Sequence, residues 1–118
     1  MSAARNCTAG WCDSTPWCAI ACAADVLGRK WHPVIVALLL SEGPTSFSAI
    51  ESAVGGLSDA VLSESLEDLQ EKGVVRRRIV ADRPLRVEYS LTERGASLEP
   101  VLSAMEEWGR RELNAETG

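Results

Sequence analysis

The sequence predicts a mainly α-helical fold with one small β-hairpin, in the α+β class. Two observations lead to this prediction: apolar residues recur at helical spacing along most of the chain, and one later segment alternates with period two. The 118 residues, 46% hydrophobic and 25% charged, have the length and composition of a single globular domain. No apolar run approaches the roughly 20 residues of a membrane span and no secretory signal is evident, so we expect a cytoplasmic protein.

The first helix is predicted to follow a short N-terminal arm. Residues 1–14 are small and polar without periodicity, which is typical of a flexible arm, and residues 15–118 then make up the domain. Thr15 followed by Pro16 is typical of a helix start, with Thr at the N-cap and Pro at the first helical position. Gly28 is expected to end this helix.

The second helix is predicted to begin at His32-Pro33 and to end at Gly43-Pro44. Its body, residues 34–40, is apolar all round, which indicates a helix buried on every side. The single histidine, His32, lies beside Pro33 and is interpreted as a helix-start residue, with ligand binding as the alternative. The chain has no paired Ser or Asp motif that would make it catalytic.

A helix-turn-helix is predicted in the middle of the chain. A short helix fits residues 46–54, and Gly55-Gly56 then makes a tight turn. Ser58 is expected to cap a fourth helix that closes at Gly73. A short helix, a tight turn and a second helix are the parts of a DNA-binding helix-turn-helix.

A β-hairpin is predicted directly after this unit. Residues 74–80 and 86–91 each alternate with period two, and Asp82-Arg83-Pro84 between them is a turn signal. A hairpin in this place corresponds to the wing of a winged helix-turn-helix. Thr92 is then expected to cap a last long helix, at about residues 92–114, with a hydrophobic stripe along one side.

Several segments resemble the HxlR-type winged-helix transcription regulators, which are related to the MarR group. Cys18 lies thirteen residues before the Trp31 of a Gly-x-Lys-Trp motif, as a cysteine does in that family. Similar segments also follow in order: the start of the fourth helix from Leu57, the second hairpin strand with Thr92, and the last helix to Gly109. Residues 28–36 are most similar to those of haloarchaeal members.

The resemblance implies a homodimer that binds a double-stranded DNA operator, built through the first and last helices. Some members of the family sense electrophiles or oxidants through the cysteine at the place of Cys18. The residues expected at the dimer interface are Trp17, Leu98, Val101, Leu102, Met105 and Trp108.

The net charge of −5 argues against DNA binding only until it is resolved along the chain. Residues 76–86 carry five Arg and one Asp, a local sum of +4, so the other 107 residues carry −9. Arg77 alternates with apolar neighbours and is expected to face partly inward as a structural residue. The predicted DNA contacts are Ser58, Asp59, Ser63 and Glu64 on the fourth helix and Arg76, Arg78, Arg83 and Arg86 on the hairpin.

The four cysteines lie within the first 22 residues and leave three interpretations open. Cys18 at a helix N-terminus is suited to thiolate chemistry, and Cys7, Cys12 or a cysteine of the other subunit could resolve its oxidised form. Cys22 is a less favourable partner, because one turn of intact helix separates the two side chains. The same four side chains could instead hold zinc or an iron–sulfur cluster, although their spacing is not that of common zinc sites. They could also merely pack as small hydrophobic residues.

No combination of residues indicates an enzyme, and no cofactor or small-molecule substrate is expected. The main interpretation is a dimeric, sequence-specific DNA-binding regulator with thiol-based sensing. The alternatives are a winged-helix protein-interaction module, whose acidic fourth helix would bind a basic partner, and a metal-binding regulator.

Overall fold

The structure, a computed structural model, describes residues 16–117 of the chain. The predicted arm at residues 1–14 and the Thr15 cap lie outside the described residues. The described part forms α1 (Pro16–Leu27), α2 (Trp31–Glu42), β1 (Thr45–Ser46), α3 (Phe47–Val54), α4 (Asp59–Glu71), β2 (Val75–Asp82), β3 (Leu85–Leu91), α5 (Glu93–Ala96) and α6 (Glu99–Thr117). The predicted class, mainly α with a small antiparallel β element, is confirmed.

The helix-turn-helix consists of α3, the turn after it and α4. Ser46 caps α3 by accepting a hydrogen bond from the Ala49 amide. Ser58 caps α4 in the same way, because its Oγ lies 3.2 Å from the backbone nitrogen of Val61. Gly55 and its successor Gly56 adopt φ angles of +70° and +67°, which favour glycine and allow the tight turn.

The sheet has three antiparallel strands in the order β1-β3-β2. β2 and β3 form the predicted hairpin, in which Val75 pairs with Leu91 and a register shift follows Ile79. β1 was not predicted, since two residues are too few to show a period. It forms because Thr45 pairs with Tyr89, far away in the sequence.

The core lies between α2, α3, α4 and the sheet. Ile35 of α2, Ile50 of α3 and Leu62 of α4 are fully buried there, and Val74 closes the core beside the sheet. On α4, Leu62, Ser65, Leu66 and Leu69 are buried as the spacing predicts, whereas Val61, predicted for the same face, is exposed. The packing therefore presents the opposite side of α4 to solvent.

The predictions for α2 need two corrections. The helix begins at Trp31, one residue before the predicted start, so that His32 is its second residue and is buried in the core. The helix is also not buried on every side, because Val34 and Ala37 are exposed. Apolar composition alone did not distinguish a side that faces the core from one that faces solvent in a single chain.

The predicted last helix is in fact two helices. Thr92 caps the short α5, with its Oγ 3.1 Å from the Gly95 amide nitrogen, and α6 begins only at Glu99. Pro100 explains the break, because it has no N–H to continue an α-helix from residue 96. Leu98 consequently precedes α6 and is not part of it.

Within residues 16–117, the longest helix is α6, and neither it nor any shorter helix combines the length and apolar character needed to cross a lipid bilayer.

Candidate nucleic-acid interface

The hairpin β2–β3, called the wing from here on, presents its arginines to solvent. Arg76 and Arg78 are two residues apart on β2, so they share one face of the sheet. Their partners across the ladder are Ser90 and Glu88. Both Arg76 and Arg78 are exposed.

The turn of the wing adds two more cations. Arg83 lies between the strands and Arg86 near the start of β3, and both are exposed. Among the ion pairs formed within residues 16–117, none involves an arginine of the wing. These guanidinium groups are therefore available to neutralise phosphates or to enter a narrow minor groove.

Arg77 differs from its prediction. The ladder places it opposite the buried Tyr89, on the side of the sheet that continues the core. Its side chain is nevertheless exposed, because the hairpin extends beyond the helices that cover the base of the sheet. Arg77 is thus a fifth exposed cation of the wing rather than a structural arginine.

The exposed side of α4 contains the four residues predicted for base contact. Ser58, Asp59, Ser63 and Glu64 are all exposed at its N-terminal turns. The Ser58 hydroxyl oxygen already accepts a hydrogen bond from the Val61 amide, so its proton and one lone pair remain for a ligand. The helix N-terminus adds a partial positive charge on this side.

The charge of α4 is opposite to that of the wing. Glu64, Glu67 and Glu71 join Asp59 on its exposed side. Lys72, which ends the helix, does not compensate them, because its ammonium lies 3.6 Å from Asp68 and 3.8 Å from Asp25 of α1. The side of α4 that would face a polyanion such as DNA is therefore negatively charged.

Exposed apolar side chains on the wing were not predicted as part of the site. Ile79, Val80 and Leu85 are exposed, and Leu85 lies between Arg83 and Arg86. The period-two pattern had placed only Ile79 on the inward face, with Val75 and Arg77. The signal in the sequence was the length of the hairpin, which exceeds what the small helical body can cover.

The residues predicted for a dimer interface divide into two groups. Leu102 is buried in the core of its own chain, and Leu98 packs against that core. Trp17 of α1 and Trp108 of α6 are 68% and 60% exposed, and Val101 and Met105 are exposed beside Trp108. Ile20 of α1 and Leu113 of α6, which were not predicted, are exposed as well.

A groove of about 740 Å³ runs between α2 and α6. The exposed Val34 and Ala37 of α2 line one wall, and Met105 of α6 lines the other. Glu99 and Glu106 bring carboxylates to its rim. The groove is continuous with the apolar side of α6, so the two features form one surface.

The cysteines are only partly within the described chain. Cys18 is the third residue of α1, as predicted, and is 2% exposed and disulfide-bonded. Cys22 is half-buried one turn later and carries a thiol. Cys7 and Cys12, the predicted resolving cysteines and potential metal ligands, lie outside the described residues. Within residues 16–117, no group of three or more His, Cys, Asp or Glu side chains could hold a metal ion.

Comparison with known proteins supports the likeness in sequence and in fold. The model of the HxlR-like helix-turn-helix family matches residues 26–117. The HTH-type transcriptional regulator YvaP of Bacillus subtilis (strain 168) is 44% identical over 86 residues, which cover 73% of this chain and 79% of the relative.

Two solved regulators share the fold. The redox regulator HypR in its oxidised form is 32% identical with a TM-score of 0.74, over 80% of this chain and 96% of HypR. The quinone-bound form of YodB from Bacillus subtilis is 29% identical with a TM-score of 0.66, over 78% of this chain and 96% of YodB. The expected likeness to haloarchaeal members stays a prediction.

Proposed function

Because the chain belongs to the HxlR-like helix-turn-helix family of transcriptional regulators, we propose that it binds a specific double-stranded DNA operator as a homodimer under thiol control. The observation that carries the DNA-binding part is the juxtaposition of a capped helix-turn-helix with a wing whose arginines are exposed and form no ion pairs within residues 16–117. Phosphate neutralisation by such cations supplies much of the affinity of DNA-binding proteins.

Operator binding is tested by selection of the full chain against random-sequence double-stranded DNA, followed by fluorescence anisotropy on the enriched sequence. We expect one enriched motif with two half-sites, because two α4 helices would enter successive major grooves about 34 Å apart. Recovery of no enriched sequence at low salt, with a folded protein, would contradict the proposal.

The homodimer is supported by the apolar side of α6. Val101, Met105 and Trp108 follow each other at intervals of four and three residues, so they form one stripe on the helix. Trp17 offers a second exposed aromatic side chain on α1. Burial of such a surface between two subunits is favourable by the hydrophobic effect.

The dimer is tested by light scattering during gel filtration of the chain and of a Trp108→Asp variant. The parent chain should elute with twice the mass of one chain, and Trp108→Asp should shift towards a single chain at the same concentration. Leu85→Asp is the matched control, because it places the same charge at an equally exposed apolar position on the wing. A Trp108→Asp protein that remains dimeric would place the interface elsewhere.

Thiol control through Cys18 is supported by two facts. Cys18 is disulfide-bonded at the first turn of α1, and the structural relatives HypR and YodB are described as a redox regulator and a quinone-bound regulator. In this proposal two thiols lose two protons and two electrons to an oxidant such as diamide, and a disulfide forms at Cys18. Cys7 and Cys12 are its candidate partners, since Cys22, the other predicted resolving cysteine, carries a thiol in the structure.

The thiol proposal is tested by measuring operator affinity after dithiothreitol and after diamide. The parent chain should show two different affinities, and Cys18→Ser should show one. Cys22→Ser serves as the control, since Cys22 carries a thiol where Cys18 is disulfide-bonded. Mass mapping of the oxidised chain identifies the partner cysteine, and an unchanged response in Cys18→Ser would overturn the proposal.

A second candidate function follows from the acidic side of α4. Asp59, Glu64 and Glu67 would suit a basic partner protein better than a phosphate backbone. The two candidates differ in their response to charge, because removal of these carboxylates should strengthen DNA binding but weaken binding to a basic protein.

A further inference from the structure

The single histidine of the chain lies in the core, away from the wing. His32 is 1% exposed and is the second residue of α2. Its imidazole is placed between α1 and α4, the helix that would enter the major groove. A buried imidazole between two polar groups requires its hydrogen bonds to be accounted for atom by atom.

One ring nitrogen has a clear role. Nδ1 of His32 lies 3.1 Å from the carbonyl oxygen of Val26, in the last turn of α1. A carbonyl oxygen can only accept, so Nδ1 carries the hydrogen and donates it. This contact also satisfies one of the carbonyl groups that a helix C-terminus leaves without an intrahelical partner.

The other ring nitrogen is in a different situation. Nε2 is buried and has no hydrogen-bond partner among residues 16–117, and Oδ2 of Asp68 on α4 lies 3.6 Å from it. With Nδ1 already protonated, a neutral imidazole would direct its Nε2 lone pair at a carboxylate. An imidazolium would instead donate from both nitrogens, to Val26 and towards Asp68.

Two further charged residues extend the contact between α1 and α4. Oδ1 of Asp68 lies 3.6 Å from the Lys72 ammonium, which lies 3.8 Å from the Asp25 carboxylate of α1. Asp68 and Asp25 are each about one-quarter exposed, so these charges are only partly screened by water. The charged groups around His32 and Asp68 are thus Asp25 of α1 and Lys72 at the end of α4.

We propose that His32 is a positioning residue that holds α4 against α1, and that the proton on its Nε2 switches this link between attraction and repulsion. When Nε2 is protonated, the imidazolium attracts Asp68 and fixes the orientation of α4. When Nε2 loses the proton, its lone pair faces the carboxylate and α4 is less firmly held. The consequence for operator binding rests on the proposed function, whereas the link between α1 and α4 does not.

The test begins with the protein alone. The full chain labelled with ¹⁵N should give a single set of imidazole signals, so the protonation state of His32 can be followed directly as the pH is varied over the range in which the protein stays folded. We expect the backbone amide signal of Ser63, on the exposed side of α4, to move together with the imidazole. In Asp68→Asn the carboxamide can donate to a neutral Nε2, so the Ser63 signal should no longer follow the imidazole.

The second part uses the operator obtained by selection. For the parent chain, affinity should fall about threefold to tenfold as the imidazole loses its Nε2 proton, the size of effect that residues in coupling networks produce. Asp68→Asn should bind with an affinity that does not change over this pH range. Glu67→Gln is the matched control, because it also removes one carboxylate from α4 and should keep the pH dependence of the parent chain.

A third variant tests the same contact from the histidine, in case Asp68→Asn does not fold. His32→Asn keeps an amide donor near Val26 but has no atom to face Asp68, and it too should bind without pH dependence. If Asp68→Asn or a folded His32→Asn keeps the parent's pH dependence, or if the Ser63 amide ignores the imidazole in the parent, the proposal is wrong. If no variant binds selected DNA, the proposed function fails, while the Ser63 signal still decides whether the link exists.

Discussion

The wing and α4 form the two halves of one candidate interface, yet they differ in charge and in attachment. The wing extends from the body with exposed arginines and exposed apolar side chains. α4 is anchored by four buried side chains and by the charges around Asp68, but its exposed side is acidic. The difference suggests a division of labour: the wing supplies attraction to the phosphate backbone, and α4 supplies a fixed geometry for reading bases.

The largest effect should come from the anchor of α4. Leu62→Ala removes a fully buried side chain and should lower the free energy of unfolding by about 2–5 kcal/mol. Leu85→Ala on the wing, where the side chain is 64% exposed, should change it by less than about 0.5 kcal/mol. Urea unfolding followed by circular dichroism compares the two, and equal losses would show that the wing packs on the body.

The next largest effect concerns the wing. Arg83→Ala combined with Arg86→Ala should weaken operator binding at all sequences and reduce the slope of log affinity against log salt by about 2. Anisotropy titrations at several salt concentrations measure both quantities. Arg110→Ala on α6 is the control, because Arg110 is exposed but pairs with Glu106. Unchanged binding by the double variant would remove the wing from the interface.

A smaller effect is expected at the start of α4. Ser58→Ala removes the acceptor of the Val61 amide and should cost about 1 kcal/mol of stability. Ser63→Ala removes a hydroxyl from the same exposed side without touching a cap, so its stability should be within about 0.5 kcal/mol of the parent. Thermal unfolding of the two variants separates the capping role of Ser58 from a role in DNA contact.

The smallest effect should come from one carboxylate of α4. Glu64→Gln removes a negative charge from the side that would face the phosphates, and should tighten operator binding by about twofold to fivefold at low salt. The gain should shrink as salt is raised, because these charges are exposed and screened. Weaker binding instead would indicate that Glu64 accepts a hydrogen bond from a base, as carboxylates do from cytosine.

Much of the local structure was predictable because each boundary carries its own chemical signal. Pro16, Ser58 and the Gly55-Gly56 turn fix starts and turns through φ angles and caps that need no distant partner. Pro100 carried such a signal too, and it explains why the predicted last helix is broken. The predicted acidic side of α4 was also confirmed by its exposure.

Other features depend on partners that are remote in the chain. β1 exists only because Thr45 meets Tyr89, and no two-residue segment shows a period. The exposure of Arg77 depends on how far the helices cover the sheet, which alternation within one strand does not contain. The surroundings of His32 depend in the same way on Asp68, 36 residues later in the chain.

By itself, the sequence determined the order of the main helices and of the hairpin, the helix-turn-helix, and the concentration of positive charge between residues 76 and 86. These follow from periodicity, caps and composition, which act over a few residues. Only the tertiary structure decided that Leu102 belongs to the core while Trp108 remains exposed, and that a histidine near a helix start is buried between Val26 of α1 and Asp68 of α4. Burial and charge pairing depend on which distant elements pack together, and for that reason local patterns did not reveal them.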